Sequence, residues 1–428
     1  MKIAIVSDTH LGDPMCTLFY MQQGGRGNKT ACQGNRYQKF ADAAGTGNDY
    51  LVLAGDIIDF AIESYEDAYT VAKAFFEKVK SDGIANEIIY IPGNHDFDIW
   101  HTVEHQVRVI EPISQGIPAG KFLWSVAGRI DDRPATARRA FAAYTSGPGV
   151  VDKIPAYTNL FLNKLTKPDT HFQFCYPNLY LITDEGKSVI ITHGHYLEAL
   201  WPMIGEWAVK IFNKQDLKVD RPLNLEAMAS LNFPMCQFMS SGVGQAGALT
   251  DLIRSLQHET KSHNLGNIKR YLCNLIKAVA NYQYLSWLKK TVLIPVMLVG
   301  RFLLLNTLSK FKDARYNDEI LSKPEVISRF CNYYSASCKE IEKLNKNYAL
   351  DIPLPQLVIF GHTHCPIPWD NKNTPPLDCC FESQKKQVTL YNTGGWLDRI
   401  NEKKAIEFCG ARVYKYETGK GITSVAIT

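Results

Sequence analysis

The stretch MKIAIVSDTH, residues 1–10, sets the reading of the whole chain. Ile3 to Val6 is an unbroken run of branched apolar residues, the pattern of a strand buried on both faces. It runs directly into Asp8 and His10, two side chains that bind cations. Four more segments repeat this pairing: Tyr50 to Leu53 before Asp56 (AGDIID), Glu87 to Ile91 before Asn94, His95 and Asp96 (GNHD), Val189 to Ile191 before His193 (THGH), and Leu357 to Phe360 before His362 and His364 (GHTH). Between the early segments, YEDAYTVAKAFFEKVK (Tyr65 to Lys80) has apolar residues at helical spacing, and Gly83 can help end it. Strand, helix and strand in succession predict an α/β fold, with the cation-binding residues gathered where the strands end at one edge of a sheet.

The composition is compatible with this reading. With 428 residues, 46% of them hydrophobic, the chain can bury a large core. A net charge of +4 with no dense Lys/Arg block gives no basis for nucleic-acid binding, so no nucleic-acid partner is expected. The eleven cysteines form no repeated CxxC framework, which fits reduced thiols and a cytoplasmic location. Because the first strand follows Met1 at once, no secretion signal is expected.

The blocks contain the parts of a two-cation site. Asp8 and His10, two positions apart on an irregular turn, can reach one metal. A carboxylate such as Asp56 can bridge two cations, one oxygen to each, and offset their repulsion. Asn94 offers a carbonyl oxygen, while His193, His362 and His364 offer imidazole nitrogens. This mixed O/N set suits two divalent ions, Mn first with Fe or Zn as alternatives, rather than calcium. Two such ions roughly 3.5–4 Å apart can hold a hydroxide, lower the pKa of water and clamp phosphoryl oxygens during in-line displacement. The chemistry expected is phosphoester hydrolysis. One DxH or GD block alone is weak, since Asp and Gly after a strand usually make a turn; five in order carry the inference.

These motifs (DxH, GDxxD, GNH[DE], a lone His and GHxH) resemble the calcineurin-like metallophosphoesterase superfamily, over roughly residues 1 to 100, 180 to 200 and 355 to 400, including Asn392, Thr393 and Gly394. The resemblance implies a β-sandwich flanked by helices (α/β/β/α). It assigns Asp8, His10, Asp56 and His364 to one metal and Asp56, Asn94, His193 and His362 to the other. It makes His95 a catalytic group that faces the substrate and stabilises the transition state or protonates the leaving oxygen, with Asp96 orienting its ring. His195 is expected beside the ligands or facing the substrate, Asp59 as a supporting carboxylate, and Cys365 as a non-ligand.

Residues 1–200 and 351–428 are expected to form the core, with an insertion at 101–178 that contains the basic stretch Arg133 to Arg139, read as a solvated face. Residues 201–350 are expected to form a helical cap. From 201 to 320 there are fifteen Lys and Arg against nine Asp and Glu, so the cap is the basic part of the molecule. Within it, Thr291 to Leu308 (TVLIPVMLVGRFLLLNTL) approaches the length of a membrane span, yet Pro295, Gly300, Arg301 and Asn306 interrupt it. A single crossing would also separate His193 from His362, which must reach the same metal. What remains is a cap core or an interfacial helix that makes peripheral membrane contact through residues 289–315.

A greasy, basic cap over such a site predicts an amphipathic or lipid-linked phosphodiester or pyrophosphate as substrate. Helices inserted between the lone His and GHxH resemble the UDP-diacylglucosamine pyrophosphatase branch, although that branch carries Arg where this chain has His95 and Cys365. The competing readings are a soluble phosphodiesterase or phosphomonoesterase whose cap shapes the pocket, and a noncatalytic protein-binding scaffold. The scaffold reading usually goes with lost ligands, and none is missing here.

Overall fold

A computed structural model describes residues 1–24, 28–134, 140–145, 157, 160–211, 223–241, 266–281, 323–367, 376–381, 384–400 and 405–428, together with isolated positions between 286 and 301. In chain order the strands are β1 (Lys2–Val6), β2 (Phe19–Gln23), β3 (Lys29–Gln33), β4 (Asn48–Ala54), β5 (Ala85–Ile91), β6 (Val126–Asp131), β7 (Ala142–Thr145), β8 (His171–Phe174), β9 (Asn178–Ile182), β10 (Ser188–Thr192), β11 (Leu357–Phe360), β12 (Leu377–Phe381), β13 (Gln384–Asn392), β14 (Asp398–Ile400), β15 (Ile406–Phe408), β16 (Ala411–Glu417) and β17 (Gly421–Ile427). The helices are α1 (Tyr37–Ala44), α2 (Tyr65–Ser81), α3 (Phe97–His105), α4 (Glu111–Ser114), α5 (Leu160–Asn163), α6 (Met203–Ile211), α7 (Leu225–Ser240), α8 (Gly266–Asn281) and α9 (Pro324–Tyr348).

Two sheets carry the architecture. The first has the order β17-β16-β1-β4-β5-β8 and is parallel from β1 to β8; the second has the order β12-β13-β11-β10-β9-β6-β7, with β10, β11 and β13 parallel. Alternate residues of the first sheet (Ile3, Ile5, Val52, Ala54, Ile89 and Ile91) pack with Leu179, Leu181, Val189, Ile191 and Ile359 of the second in one buried cluster. The intervening residues, such as Val6, Leu53 and Ile88, are equally buried, because helices cover the outer faces. Ser64 caps α2 by accepting from Asp67 N, and Phe76 of α2 packs edge-on against Phe172 of β8 at 5.0 Å. On the other side, α9 bonds to the second sheet: Tyr333 OH lies 2.9 Å from Thr192 Oγ1 and donates to Asn178 Oδ1 (2.6 Å), and Tyr180 OH donates to Glu340 Oε2 (2.7 Å). The layers run helix, sheet, sheet, helix, as the sequence predicts.

Residues Met1–Ser241 with Arg315–Thr428 form one compact unit and Gly242–Ala314 a second. The first unit includes parts of both the 101–178 and the 201–350 stretches. From the stretch 101–178, β6 and β7 extend the second sheet and β8 extends the first. From 201–350, α9 covers the second sheet, and α7 packs beside α3 through Phe233 and Phe97 (5.4 Å) and a hydrogen bond from Gln237 Nε2 to Asp98 Oδ1 (2.6 Å). Of the second unit, α8 is the longest described element. Residues 135–139 of the basic stretch, most of Thr291 to Leu308, and the aromatics Tyr282, Tyr284 and Trp287 lie outside the described residues. Among those described, no helix is long and apolar enough to cross a membrane.

Glu104 of α3 is buried and accepts from Leu123 N at 2.6 Å. Burial pushes its carboxyl up to about 7 from the usual 4.5, against smaller opposing effects of that hydrogen bond and of Arg108. The folded chain therefore holds a proton that the unfolded chain releases. This contribution to stability is complete below pH 4.5 and is lost as pH rises through 7, a change of roughly 3 kcal/mol. Thermal unfolding from pH 4.5 to 8 is expected to show Glu104→Gln gaining on the wild type by about that amount. Parallel profiles for the two proteins would contradict this.

Candidate metal centre

Every block falls in a loop at the carboxyl end of its strand: Asp8 and His10 after β1, Asp56 after β4, Asn94 to Asp96 after β5, His193 after β10, and His362 and His364 after β11. The site therefore spans matching edges of both sheets. Backbone hydrogen bonds join the loops, from Asp8 N to Gly55 O (2.9 Å), His10 N to Asp56 O (2.9 Å) and Gly361 N to His193 O (2.9 Å). Asp8, His10, Asp56, His362 and His364 all have positive φ, between 47° and 68°. Side-chain-bearing residues adopt this conformation at a cost of about 1–3 kcal/mol each, and it clusters where geometry serves function. The motif glycines let the loops approach so closely: a Cβ on Gly93 would collide with the Asp56 carboxylate, and one on Gly361 with Ser7 and Asp8.

Three buried groups of donor atoms result. Asp8, His10 and His364 form one, Asp56, His193 and His362 the second, and His10, Asp59 and His95 a third, each with its atoms within 4.8 Å of one another and able to hold a metal ion. In the first, His10 Nε2 faces His364 Nε2 at 3.1 Å, and His364 Nε2 lies 3.3 Å from Asp8 Oδ1. In the second, His193 Nε2 lies 3.0 Å from Asn94 Oδ1, 3.2 Å from Asp56 Oδ2 and 3.2 Å from His362 Nδ1. Asp56 reaches both of these groups, since its Oδ2 is also 3.8 Å from His10 Nε2.

The supporting contacts turn lone pairs toward these pockets. His10 Nδ1 is 2.7 Å from Asp59 Oδ2, and His193 Nδ1 is 3.1 Å from Ala54 O. In the neutral ring each acceptor favours a proton on that nitrogen and leaves Nε2 as an acceptor. Acceptor then faces acceptor at about 3 Å in a buried space, which positive charge between them stabilises. The electrostatics agree. Burial opposes ionisation of Asp8 and Asp56, yet His364 holds Asp8 below the usual range, and His193 with His95 holds Asp56 well below it. Burial also disfavours charge on the imidazoles, but Asp59 raises His10, and Asp56 raises His193 to about 9. The donor set fits divalent cations, which supply the positive charge these groups attract.

His95 enters the same constellation. Its Nδ1 is 3.0 Å from Asp59 Oδ1, and its ring stands edge-on to that of His10 at 4.8 Å. Asp59 thus orients both His10 and His95. Asp96, expected to orient the His95 ring, instead accepts from Gly93 N (2.6 Å), Ile57 N (2.7 Å) and Tyr90 OH (2.5 Å). It is the N-cap of α3, and from there its carboxylate ties the GNHD loop to the Asp56 loop. His195 is fully buried among aromatics, 4.1 Å from the Tyr196 ring and 5.6 Å from that of His193, with Nε2 3.3 Å from Tyr176 OH. Burial, reinforced by His193 and His362, keeps it neutral. Cys365 is partly exposed and belongs to none of the three donor groups.

The sequence reading missed Ser7, which bonds Asp8 and Thr393, and Glu198, which lies 3.1 Å from His362. Ser7 could have been found from its place between the strand and Asp8. Glu198 offered only its position five residues after His193. Asn392, in the YNTGGW segment, donates from Nδ2 to Gly361 O (2.7 Å) and so supports the GHTH loop.

A two-sheet sandwich with paired O/N donor clusters at one edge defines a metal-dependent phosphoesterase. The sequence profile of the calcineurin-like phosphoesterase family matches residues 1–222, more than half of the chain, and the chain belongs to that family. No curated protein matches the chain.

Adding Mn²⁺ at about 100 times its Kd is expected to stabilise the protein by roughly 2.7 kcal/mol per site, read as a rise in melting temperature. Asp56→Asn removes the charge shared by both pockets and is expected to lose most of that rise. An undiminished rise in this variant would show that Asp56 is not a ligand.

Proposed function

We propose that this protein hydrolyses an amphipathic phosphodiester or pyrophosphate with two divalent ions, one held by Asp8, His10, Asp56 and His364 and the other by Asp56, Asn94, His193 and His362. When bound, such ions activate water near neutral pH and stabilise charge on the phosphoryl oxygens. The chain's own groups do the rest. Asp59 accepts a hydrogen bond from His95 Nδ1–H, and the doubly protonated form of that ring carries an Nε2–H that can stabilise the phosphoryl group or protonate the leaving oxygen. Asp96 acts indirectly, by fixing the loop that carries His95 and Asn94. Manganese is our first expectation for the metal pair, with iron or zinc as alternatives.

The observation that carries the substrate class is an aromatic wall rising from the His95 loop. Phe97, immediately after GNHD, meets Phe233 of α7, and Phe233 packs against Phe122 (5.6 Å) and Trp124 (4.9 Å). Phe122, Trp124 and Phe233 are only partly buried, and Phe233 joins this apolar surface to Phe97, two residues after His95. The basic excess over residues 201–320 and the apolar stretch at 291–308 extend the same character along the chain. We accordingly propose that the part of residues 201–350 that precedes α9 contributes to substrate recognition, with peripheral membrane contact through 289–315. The likeness of this insertion to the UDP-diacylglucosamine pyrophosphatase branch supports a lipid-linked substrate, while His95 and Cys365 distinguish the chain from it.

Two kinetic comparisons test this reading. Mn²⁺-dependent turnover of an aryl phosphodiester is expected to fall in His95→Ala by about 10²–10⁴-fold in kcat; unchanged turnover would contradict the role of His95. A phosphodiester bearing an acyl chain is expected to show a lower KM than its short analogue, and the protein is expected to float with anionic liposomes. Equal KM values without flotation would favour a soluble phosphodiesterase or phosphomonoesterase whose cap merely shapes the pocket.

A further inference from the structure

His362 presents Nδ1 to the pocket it shares with His193, 3.2 Å from His193 Nε2. On the other side of the ring its Nε2 is buried and makes no hydrogen bond to any described group, while Glu198 Oε2 stands 3.1 Å away. Glu198 directly follows the short turn His195–Leu197 after β10. Its side chain is 14% exposed, and the same Oε2 accepts from Trp201 Nε1 at 3.0 Å. Trp201 is itself buried, with its ring 6.2 Å from that of His362. The carboxylate is thus held in place by a buried indole and stands beside the ring nitrogen of His362 that makes no hydrogen bond among the described residues.

We infer that Glu198 is a positioning residue for the cation pocket of Asn94, His193 and His362. This inference deepens the dinuclear reading and rests on it. A neutral imidazole carries one N–H and one lone pair. A carboxylate beside Nε2 favours the tautomer with its proton there, which leaves the Nδ1 lone pair for the cation and makes it a stronger donor. The neighbouring rings show the same division of labour, since His10 turns its outer nitrogen to Asp59 and His193 turns its own to Ala54 O. Glu198 serves His362 as Asp59 serves His10, but for the other pocket.

Calorimetric titration of the full chain with Mn²⁺, alongside the melting temperature without metal, tests the assignment. The wild type is expected to bind two equivalents. Glu198→Gln keeps the shape but removes the charge, and is expected to weaken one equivalent about 10-fold while the other is unchanged; Glu198→Ala is expected to weaken it by about 10–100-fold. In a His362→Ala background, Glu198→Ala is expected to have no further effect on metal affinity, a result that a merely structural role would not give. Should Glu198→Ala fail to fold, the isosteric Gln variant decides. Two equivalents bound with wild-type affinity in Glu198→Gln, or a full additional loss in the His362→Ala background, would overturn the assignment. Fewer than two equivalents in the wild type would overturn the dinuclear reading itself, and this inference with it.

Discussion

Asp8, Asp56, Asp59 and Asp96 lie buried together where two sheets end, and carboxylates so placed repel one another and have lost their water. Positive charge in the same space, together with hydrogen bonds from backbone amides, offsets that cost. Imidazoles supply part of that charge, as the raised affinities of His10 and His193 for protons show. The remainder of the geometry follows from this demand. Five candidate ligands on three loops adopt left-handed backbone, motif glycines admit carboxylates at close range, and outer acceptors turn the imidazole lone pairs inward. A divalent cation in each pocket satisfies all of these features at once.

The scaffold makes that concentration of charge tolerable. Strands β1, β4, β5, β10 and β11 are buried on both faces, by the sandwich core within and by helices outside, so their ends are held rigidly. Backbone bonds such as Asp8 N to Gly55 O and Gly361 N to His193 O lock adjacent loops in register. Asp96 contributes in the same way, through backbone amides rather than through His95. The strain at the ligands is thus held by packing far from the reaction, which is how folded proteins keep unfavourable local geometry.

Much of this was legible in the sequence, because burial on both faces writes a continuous apolar run and the ligands follow each run directly. Ile3 to Val6, Tyr50 to Leu53 and Leu357 to Phe360 all lie in strands, and Tyr65 to Lys80 is helix α2. The less legible parts have physical causes. Strand β6, VAGRID, is short and carries Gly128 and Arg129, so no apolar run marks it. Helix α9 has a wide polar face, and Tyr333 and Glu340 reach the second sheet through hydrogen bonds rather than apolar contact. Glu198 acts through individual contacts to His362 and Trp201, which no spacing rule reveals. For Asp96, adjacency to His95 predicted contact between the side chains, whereas the backbone turn at the start of α3 sends the carboxylate to the neighbouring loop.

The central claim is that two cations occupy one charged edge. Anomalous diffraction from crystals soaked in Mn²⁺ tests it most directly. The account predicts two peaks about 3.5–4 Å apart, one beside Asp8, His10 and His364, the other beside Asn94, His193 and His362, with Asp56 touching both. A single peak, or a pair located away from Asp56, would contradict it.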